Sequence, residues 1–98
     1  MEVKVYWSNK AEKQFDSIVQ YLEKNWGLNS ASKFVNSIFN FIEVVCVFPE
    51  IGTIEHSELN IRGFVVVKQI TIFYQIRKNK VVILSLYDNR QRPKTTRF

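Results

Sequence analysis

The spacing of apolar residues changes near residue 50, and this change constrains the fold more than any other feature of the sequence. Between residues 11 and 45, apolar side chains recur every three or four positions, as on one face of a helix. Between residues 61 and 87 they form dense runs rich in Ile, Val, Phe and Tyr, which is typical of β-strands. In residues 3–7, Val3, Val5 and Trp7 alternate with Lys4 and Tyr6, as in a short strand. The chain therefore predicts a strand, two helices and then further strands.

Boundary residues support two separate helices. Ser8 or Asn9 is expected to cap the first helix, and Gly27 is expected to end it. Asn29 or Ser30 is expected to begin the second helix, which Pro49 stops. The short connection between them predicts an antiparallel helical hairpin.

Three strands are predicted in the second half, at residues 61–67, 69–77 and 81–87, with a tight polar turn at residues 78–80. The predicted fold class is therefore α+β: a strand, two helices and an antiparallel β-meander, with the helical hairpin packed on one face of a small sheet. At 98 residues the chain predicts a single domain, residues 1–98, in which residues 88–98 form a basic C-terminal tail.

Alternation along these strands predicts which side chains share a face. The purely apolar sets are expected to face the helices: Ile61, Val65, Val67, Ile70, Ile72, Tyr74, Ile76, Val82, Leu84 and Leu86. The mixed sets, opposite to these, are expected to form an open face with Arg62, Phe64, Lys68, Phe73, Gln75, Arg77, Ser85 and Tyr87. Basic side chains interleaved with aromatic rings are typical of nucleic-acid-binding surfaces, because phosphates need positive charge and unstacked bases need aromatic platforms.

Charge is segregated along the chain. Residues 1–58 carry five lysines and eight acidic residues, whereas residues 59–98 carry nine basic residues and one acidic residue. This segregation favours an acidic or polyanionic partner for the basic half. The strongest binding candidates are Lys68 and the tail residues Arg90, Arg92, Lys94 and Arg97, although a solvated basic tail would have the same composition.

Several classes of function are not expected. Cys46 is the one cysteine, so no internal disulfide forms, and its apolar surroundings favour a buried, inert thiol. The one histidine, His56, lies in a polar connector without neighbouring ligands, so neither a metal nor another cofactor is expected. The chain does not begin like a secretory signal, and no apolar run approaches the roughly 20 residues of a membrane span. A soluble, cytoplasmic protein without a membrane partner is expected.

A series of short motifs resembles one protein family over nearly the whole chain. The motifs are residues 11–22 after Trp7-Ser8, Pro49-Glu50-Ile51-Gly52, Ile61-Arg62, Ile72-Phe73-Tyr74-Gln75-Ile76 and Asp88-Asn89-Arg90-Gln91-Arg92-Pro93. In this order and spacing the sequence resembles the RelE/ParE toxins, the poisonous halves of bacterial type II toxin–antitoxin systems.

This resemblance implies a toxin but leaves its target open. RelE-like members are ribosome-dependent endoribonucleases, or mRNA interferases, that cut messenger RNA and block translation. ParE-like members inhibit DNA gyrase by protein–protein binding. The first is the leading interpretation, with ribosome and mRNA as partners; the alternatives are a gyrase inhibitor and a non-toxic regulator that only binds antitoxin. In each case the resemblance implies a cognate antitoxin, and we expect an acidic segment of it to cover the basic half.

RNA cleavage through the 2′-hydroxyl needs a base, a cation for the developing charge and an acid for the leaving oxygen. The predicted catalytic residues are Arg62 and Arg77, which would hold the phosphate, and Tyr87, or alternatively Asp88, which would take the proton, with Arg90 or Arg92 at the leaving group. Each also has a structural explanation: a salt bridge for Arg62, a solvated turn for Arg77 and packing for Tyr87. The acidic connector at residues 55–60 differs from the lysine-rich segment of RelE-like nucleases and favours the gyrase alternative.

Overall fold

The computed structural model describes residues 2–89. Its elements follow one another as strand β1 (Lys4–Trp7), helix α1 (Asn9–Trp26), helix α2 (Leu28–Val47), a 3-10 turn (Pro49–Ile51) and strands β2 (Thr53–His56), β3 (Ile61–Val67), β4 (Ile70–Arg77) and β5 (Lys80–Asp88). The predicted α+β class and helical hairpin are confirmed, and the three long strands lie within a residue of their predicted bounds.

The five strands form one sheet in the order β1-β5-β4-β3-β2. Strands β2 to β5 pair antiparallel, as the predicted meander requires, whereas β1 lies parallel to β5. Strand β2 was not predicted, because it lies in a polar stretch that lacks the apolar alternation of a strand. The turn after it passes through Asn60, whose φ of 58° is one that asparagine tolerates better than most residues.

The predicted boundary residues are confirmed for α1 and for the end of α2, but not for the start of α2. Ser8 caps α1: its Oγ accepts from the Ala11 amide at 3.0 Å and donates to the Leu84 carbonyl at 2.9 Å, which ties the helix to β5. Gly27 is the single residue between α1 and α2. Its φ is 91°, a backbone conformation that glycine adopts at little cost. The second helix therefore begins at Leu28, slightly earlier than predicted.

The core lies between the helical hairpin and one face of the sheet. Side chains of α2, including Phe34, Ile38 and Phe41, are buried against Ile72 and Tyr74 of β4. The Phe41 ring contacts the rings of Phe64 and Tyr74 at centroid distances of 5.2 and 5.5 Å. Burial of each such side chain contributes about 1.5–3 kcal/mol to the free energy that favours folding.

Helix α2 is the one helix within residues 2–89 that is long and apolar enough to cross a membrane. Its residues Ala31, Phe34, Ile38, Phe41 and Val45 are buried. This periodic burial is that of a helix that packs one face against a core.

An irregularity in β5 corrects part of the predicted face assignment. Phe73 pairs with Ser85 and Tyr74 with Ile83, so Leu84 has no cross-strand partner. This bulge reverses the alternation. Consequently Val81 and Ile83 are buried in the core, contrary to the prediction, while Val82 and Leu84 lie outside it. Leu86, beyond the bulge, faces the helices as predicted.

The predicted faces of β3 were also wrong over its first half. Arg62 pairs with Tyr74 and Phe64 with Ile72, so both lie on the helix-facing side. Ile61 and Val65 take the opposite side, with Gly63 between them. The register shifts again between Val65 and Val67, and Val67 then packs against the core as predicted.

Candidate interaction surfaces

Arg62 holds the loop that follows α2. Its Nη1 donates to the carbonyl of Glu50 at 3.1 Å and to that of Gly52 at 2.7 Å. Its Nε is buried and has no hydrogen-bond partner in the described part of the chain. Arg62 therefore lies on the helix side of the sheet and does not join the open face, where it was predicted.

Tyr74 fastens the same loop from the neighbouring strand. Its hydroxyl donates to the Pro49 carbonyl at 2.7 Å and accepts from the Gly52 amide at 2.9 Å. Burial raises the pKa of Tyr74; the Gly52 hydrogen bond and the charge of Arg62 lower that pKa, and Glu50 raises it further. A Cβ on Gly52 would lie 2.7 Å from the Gly63 carbonyl oxygen and 2.8 Å from the Tyr74 hydroxyl, so glycine is required there. We call these contacts the Arg62–Tyr74 network.

Arg77 and Tyr87 lie on the open face as predicted, but at opposite ends of it. Arg77 pairs with Lys80 at one end of β4, and Tyr87 pairs with Thr71 at the other. Thr71 and Arg77 are six positions apart along β4, a distance of about 20 Å. Together with the placement of Arg62, this means that the three predicted catalytic residues are not brought together.

The surroundings of Arg77 and Tyr87 also differ. Arg77 is exposed, and its Nε donates to Oε1 of Gln75 at 2.8 Å. Tyr87 is half-buried, with its ring centroid 6.4 Å from that of Phe73. Phe73 is itself only 1% exposed, so it is a packing residue of this face and not the accessible aromatic platform that was predicted.

The predicted binding residues are only partly within the described chain. Lys68 is exposed in the turn between β3 and β4 and so does not lie on the sheet face. Arg90, Arg92, Lys94 and Arg97 lie outside the described residues. Residues 2–89 contain no group of three or more His, Cys, Asp or Glu side chains able to hold a metal ion. Nδ1 of His56 accepts a hydrogen bond from the Leu59 amide at 3.2 Å, which is a structural contact.

A groove of about 860 Å³ lies between the helical hairpin and the end of the sheet where β3 turns into β4. Its lining is mainly apolar: Ile18, Tyr21, Leu22, Trp26, Phe34, Val67, Ile70 and Leu86. Gln14 joins its two walls, because Oε1 accepts from the Leu86 amide at 2.8 Å. Trp26 and Tyr21 remain 65% and 49% exposed, and the charged lining residues are Lys13, Lys33 and Asp88.

This groove was not predicted from the sequence. The signals in the sequence that pointed toward it are Tyr21 and Trp26: both are large aromatic residues near the end of a helix, and Trp26 continues the apolar stripe four residues after Leu22. Exposed Trp and Tyr side chains in apolar depressions are typical of protein-binding sites.

Comparison with known proteins identifies relatives of this fold. A family model described as the ParE toxin of the type II toxin–antitoxin system parDE matches residues 5–93. A chain from the chromosomal ParDE system of P. aeruginosa is 16% identical, with a TM-score of 0.72 over 89% of this chain and 96% of that one. The YoeB/ParE toxin of Agrobacterium tumefaciens is 9% identical, with a TM-score of 0.64 over 87% and 96% of the two chains. The YoeB dimer of Staphylococcus aureus is 14% identical, with a TM-score of 0.60 over 89% and 97%. No match was found among curated proteins.

Proposed function

Because the chain belongs to the family of ParE toxins of type II toxin–antitoxin systems, we propose that it acts by binding DNA gyrase and not by cutting messenger RNA. Of the two activities implied by the RelE/ParE resemblance, gyrase inhibition needs a docking surface, whereas RNA cleavage needs convergent acid, base and cation side chains.

The placement of Arg62 is the observation that carries this proposal. Both loop carbonyls that it contacts lie on the helix side, and moving its guanidinium to the open face would leave those carbonyls without their donor. A catalytic arginine must reach the phosphate within hydrogen-bonding distance. Arg62 is therefore assigned to the structure of the loop.

Tyr87 does not replace it as the centre of a nuclease site. The Tyr87 ring packs on Phe73, and Arg77, the other predicted phosphate ligand, is about 20 Å away along β4. Among residues 2–89, Asp88 is the remaining candidate base, and it lines the groove on the helix side. The register pairs Arg62 with Tyr74 and Arg77 with Lys80, so neither of the two arginines among residues 2–89 lies beside Tyr87 or Asp88 in the sheet.

Two assays on the purified chain distinguish the activities. We expect the protein to inhibit gyrase supercoiling of relaxed plasmid, and to leave messenger RNA intact in a bacterial translation extract analysed by primer extension. Tyr87→Phe, which removes only a hydroxyl, is expected to inhibit gyrase as well as the unsubstituted chain does. New ribosome-dependent 5′ ends at fixed positions within codons, lost on Tyr87→Phe, would establish the nuclease and end the gyrase proposal.

A cognate antitoxin is the second partner that we propose, and the groove is the site where we place it. Two of the structural relatives are YoeB–YefM toxin–antitoxin complexes from S. aureus, with TM-scores of 0.57 and 0.59. The apolar lining of the groove fits the apolar side of an amphipathic segment, and Lys13 and Lys33 fit acidic residues on its flank. The lining residues of the groove come from both halves of the chain. This placement therefore agrees only in part with the prediction that an acidic segment of the antitoxin covers the basic half.

Trp26 provides the test of this docking site. We expect Trp26→Ala to weaken binding of the co-expressed antitoxin at least about tenfold in calorimetry, as for a buried aromatic anchor. Phe39→Ala is the matched control, because Phe39 is 58% exposed on α2 but does not line the groove. Equal losses from the two substitutions, or none from either, would place the antitoxin elsewhere.

A further inference from the structure

Three basic side chains lie side by side across the sheet, on the face away from the helices. The register pairs Lys4 of β1 with Lys80 of β5, and Lys80 with Arg77 of β4. Neighbouring strands are about 4.8 Å apart, so these side chains originate along a line about 10 Å long. The Lys4 amide donates to the Asn79 carbonyl at 3.3 Å, which ties β1 to the β4–β5 turn. We call Lys4, Lys80 and Arg77 the cation row.

The cation row is unfavourable for the isolated protein. Like charges directly opposite one another on paired strands destabilise a sheet. Within residues 2–89, none of the three side chains forms an ion pair; Arg77 contacts Gln75, and Lys80 contacts an aromatic ring. A ligand that supplies negative charge along this line would remove the repulsion.

Tyr6 lies one register position along the same face. It pairs with Val82 on β5, its side chain is 47% exposed, and Nζ of Lys80 is 5.4 Å from the centre of its ring. An aromatic ring beside a line of positive charge can stack with a base while the charges contact phosphates. An acidic peptide would use the charges but would have no comparable use for the ring.

From this arrangement we propose that the cation row and Tyr6 form a binding surface for single-stranded nucleic acid. Phosphates contact Lys4, Lys80 and Arg77, and one base stacks on Tyr6. A duplex uses only the charges, because its bases are already stacked on one another. The surface is separate from the groove, and it does not depend on which target the toxin inhibits.

Fluorescence anisotropy tests this proposal with the full chain and a 5′-labelled dT20 oligonucleotide at several KCl concentrations. The double variant Lys4→Ala/Lys80→Ala is expected to bind about tenfold more weakly at low salt. It should also reduce the slope of log K against log[salt] by about 1.4, since each single-strand phosphate contact contributes about 0.7. Lys13→Ala/Lys33→Ala removes the same charge at the groove, and this matched control is expected to retain the binding of the unsubstituted chain.

Tyr6→Ala separates stacking from charge. We expect it to weaken dT20 binding by at least about fivefold, the lower end for one base–aromatic stack, with an unchanged salt slope and no effect on a 20-base-pair duplex. Equal losses from the two double variants would reduce the effect to net charge and overturn the assignment. Polyglutamate binding as tight as dT20 and insensitive to Tyr6→Ala would overturn it in favour of an acidic protein partner.

Discussion

Arg62 and Arg77 are the same residue type on neighbouring strands, yet they lie in opposite surroundings. Arg62 faces the helices and hydrogen bonds to two loop carbonyls, whereas Arg77 is exposed and stands in line with two lysines. The first arginine completes the hydrogen bonding of the fold. The second adds a repulsion that the fold does not need. The face that a side chain occupies, and not its chemical type, therefore decides whether it serves stability or binding.

The largest expected effect is the difference between removing one arginine and removing the other. Arg62→Ala is expected to lower the free energy of unfolding by about 2–3 kcal/mol, because it removes two hydrogen bonds from a charged donor. Arg77→Ala is expected to change it by less than about 0.5 kcal/mol, as for an ordinary surface position. Urea denaturation of both variants measures this difference. Equal effects would abolish the distinction between the two arginines.

A smaller loss is expected when the other half of the Arg62–Tyr74 network is removed. Tyr74→Phe keeps the ring but deletes the hydroxyl that joins Pro49 to Gly52, and about 1–2 kcal/mol of stability should be lost. Tyr6→Phe is the matched control, because Tyr6 is 47% exposed on the opposite face of the sheet, and little change is expected. A neutral Tyr74→Phe would show that the loop does not need this hydroxyl.

The same tyrosine should make stability depend on alkaline pH. Because burial raises the pKa of Tyr74 in the folded chain, the folded state holds this proton more tightly than the unfolded state does. Its contribution is fully present below the unfolded pKa of about 10 and is lost as the pH rises from there through the folded pKa. Denaturation between pH 8 and 11 should show this fall in the unsubstituted chain and a weaker fall in Tyr74→Phe. Identical profiles would contradict it.

The smallest expected effect has the opposite sign. Lys4→Ala removes one charge from the cation row, so we expect the melting temperature to rise by about 1–4 °C in low salt. The rise should shrink in 0.5 M KCl, because salt screens exposed charges. Lys13→Ala is the control for a surface lysine outside the row. A lowered melting temperature for Lys4→Ala would mean that repulsion within the cation row does not destabilise the fold.

The helices and the long strands could be predicted because their signals are local. Ser8 and Gly27 act within a few residues of their own positions, and the apolar stripe of α2 is regular over five turns. The faces of β3 and β5 could not be predicted in the same way. Apolar runs such as residues 81–84 have no polar residue to fix the phase, and the bulge at Leu84 depends on pairing with β4.

The candidate site residues were predicted or missed for the same reason, namely whether the signal that places them is local. Arg77 and Tyr87 were placed on the correct face, because β4 alternates clearly and the bulge left Tyr87 in phase. Arg62 was predicted on the wrong face, because the phase of alternation in β3 differs by one residue from the prediction. It contacts the loop after α2 and does not face solvent on the open side. The cation row was beyond prediction, since its first member comes from β1 and nothing local indicates that β1 lies beside β5.

The pairing of β1 with β5 joins strands from the two ends of the described chain. On the ribosome, β1 is made before β5, and more than seventy residues separate the two strands along the chain. At bacterial elongation rates of about 5–20 residues per second, that delay lasts several seconds. During this delay, Val5 and Trp7 have no partner strand, and α1 has no sheet against which to pack. A nascent chain that has not yet reached β5 therefore cannot complete this sheet, and the toxin fold forms only after β5 has been made.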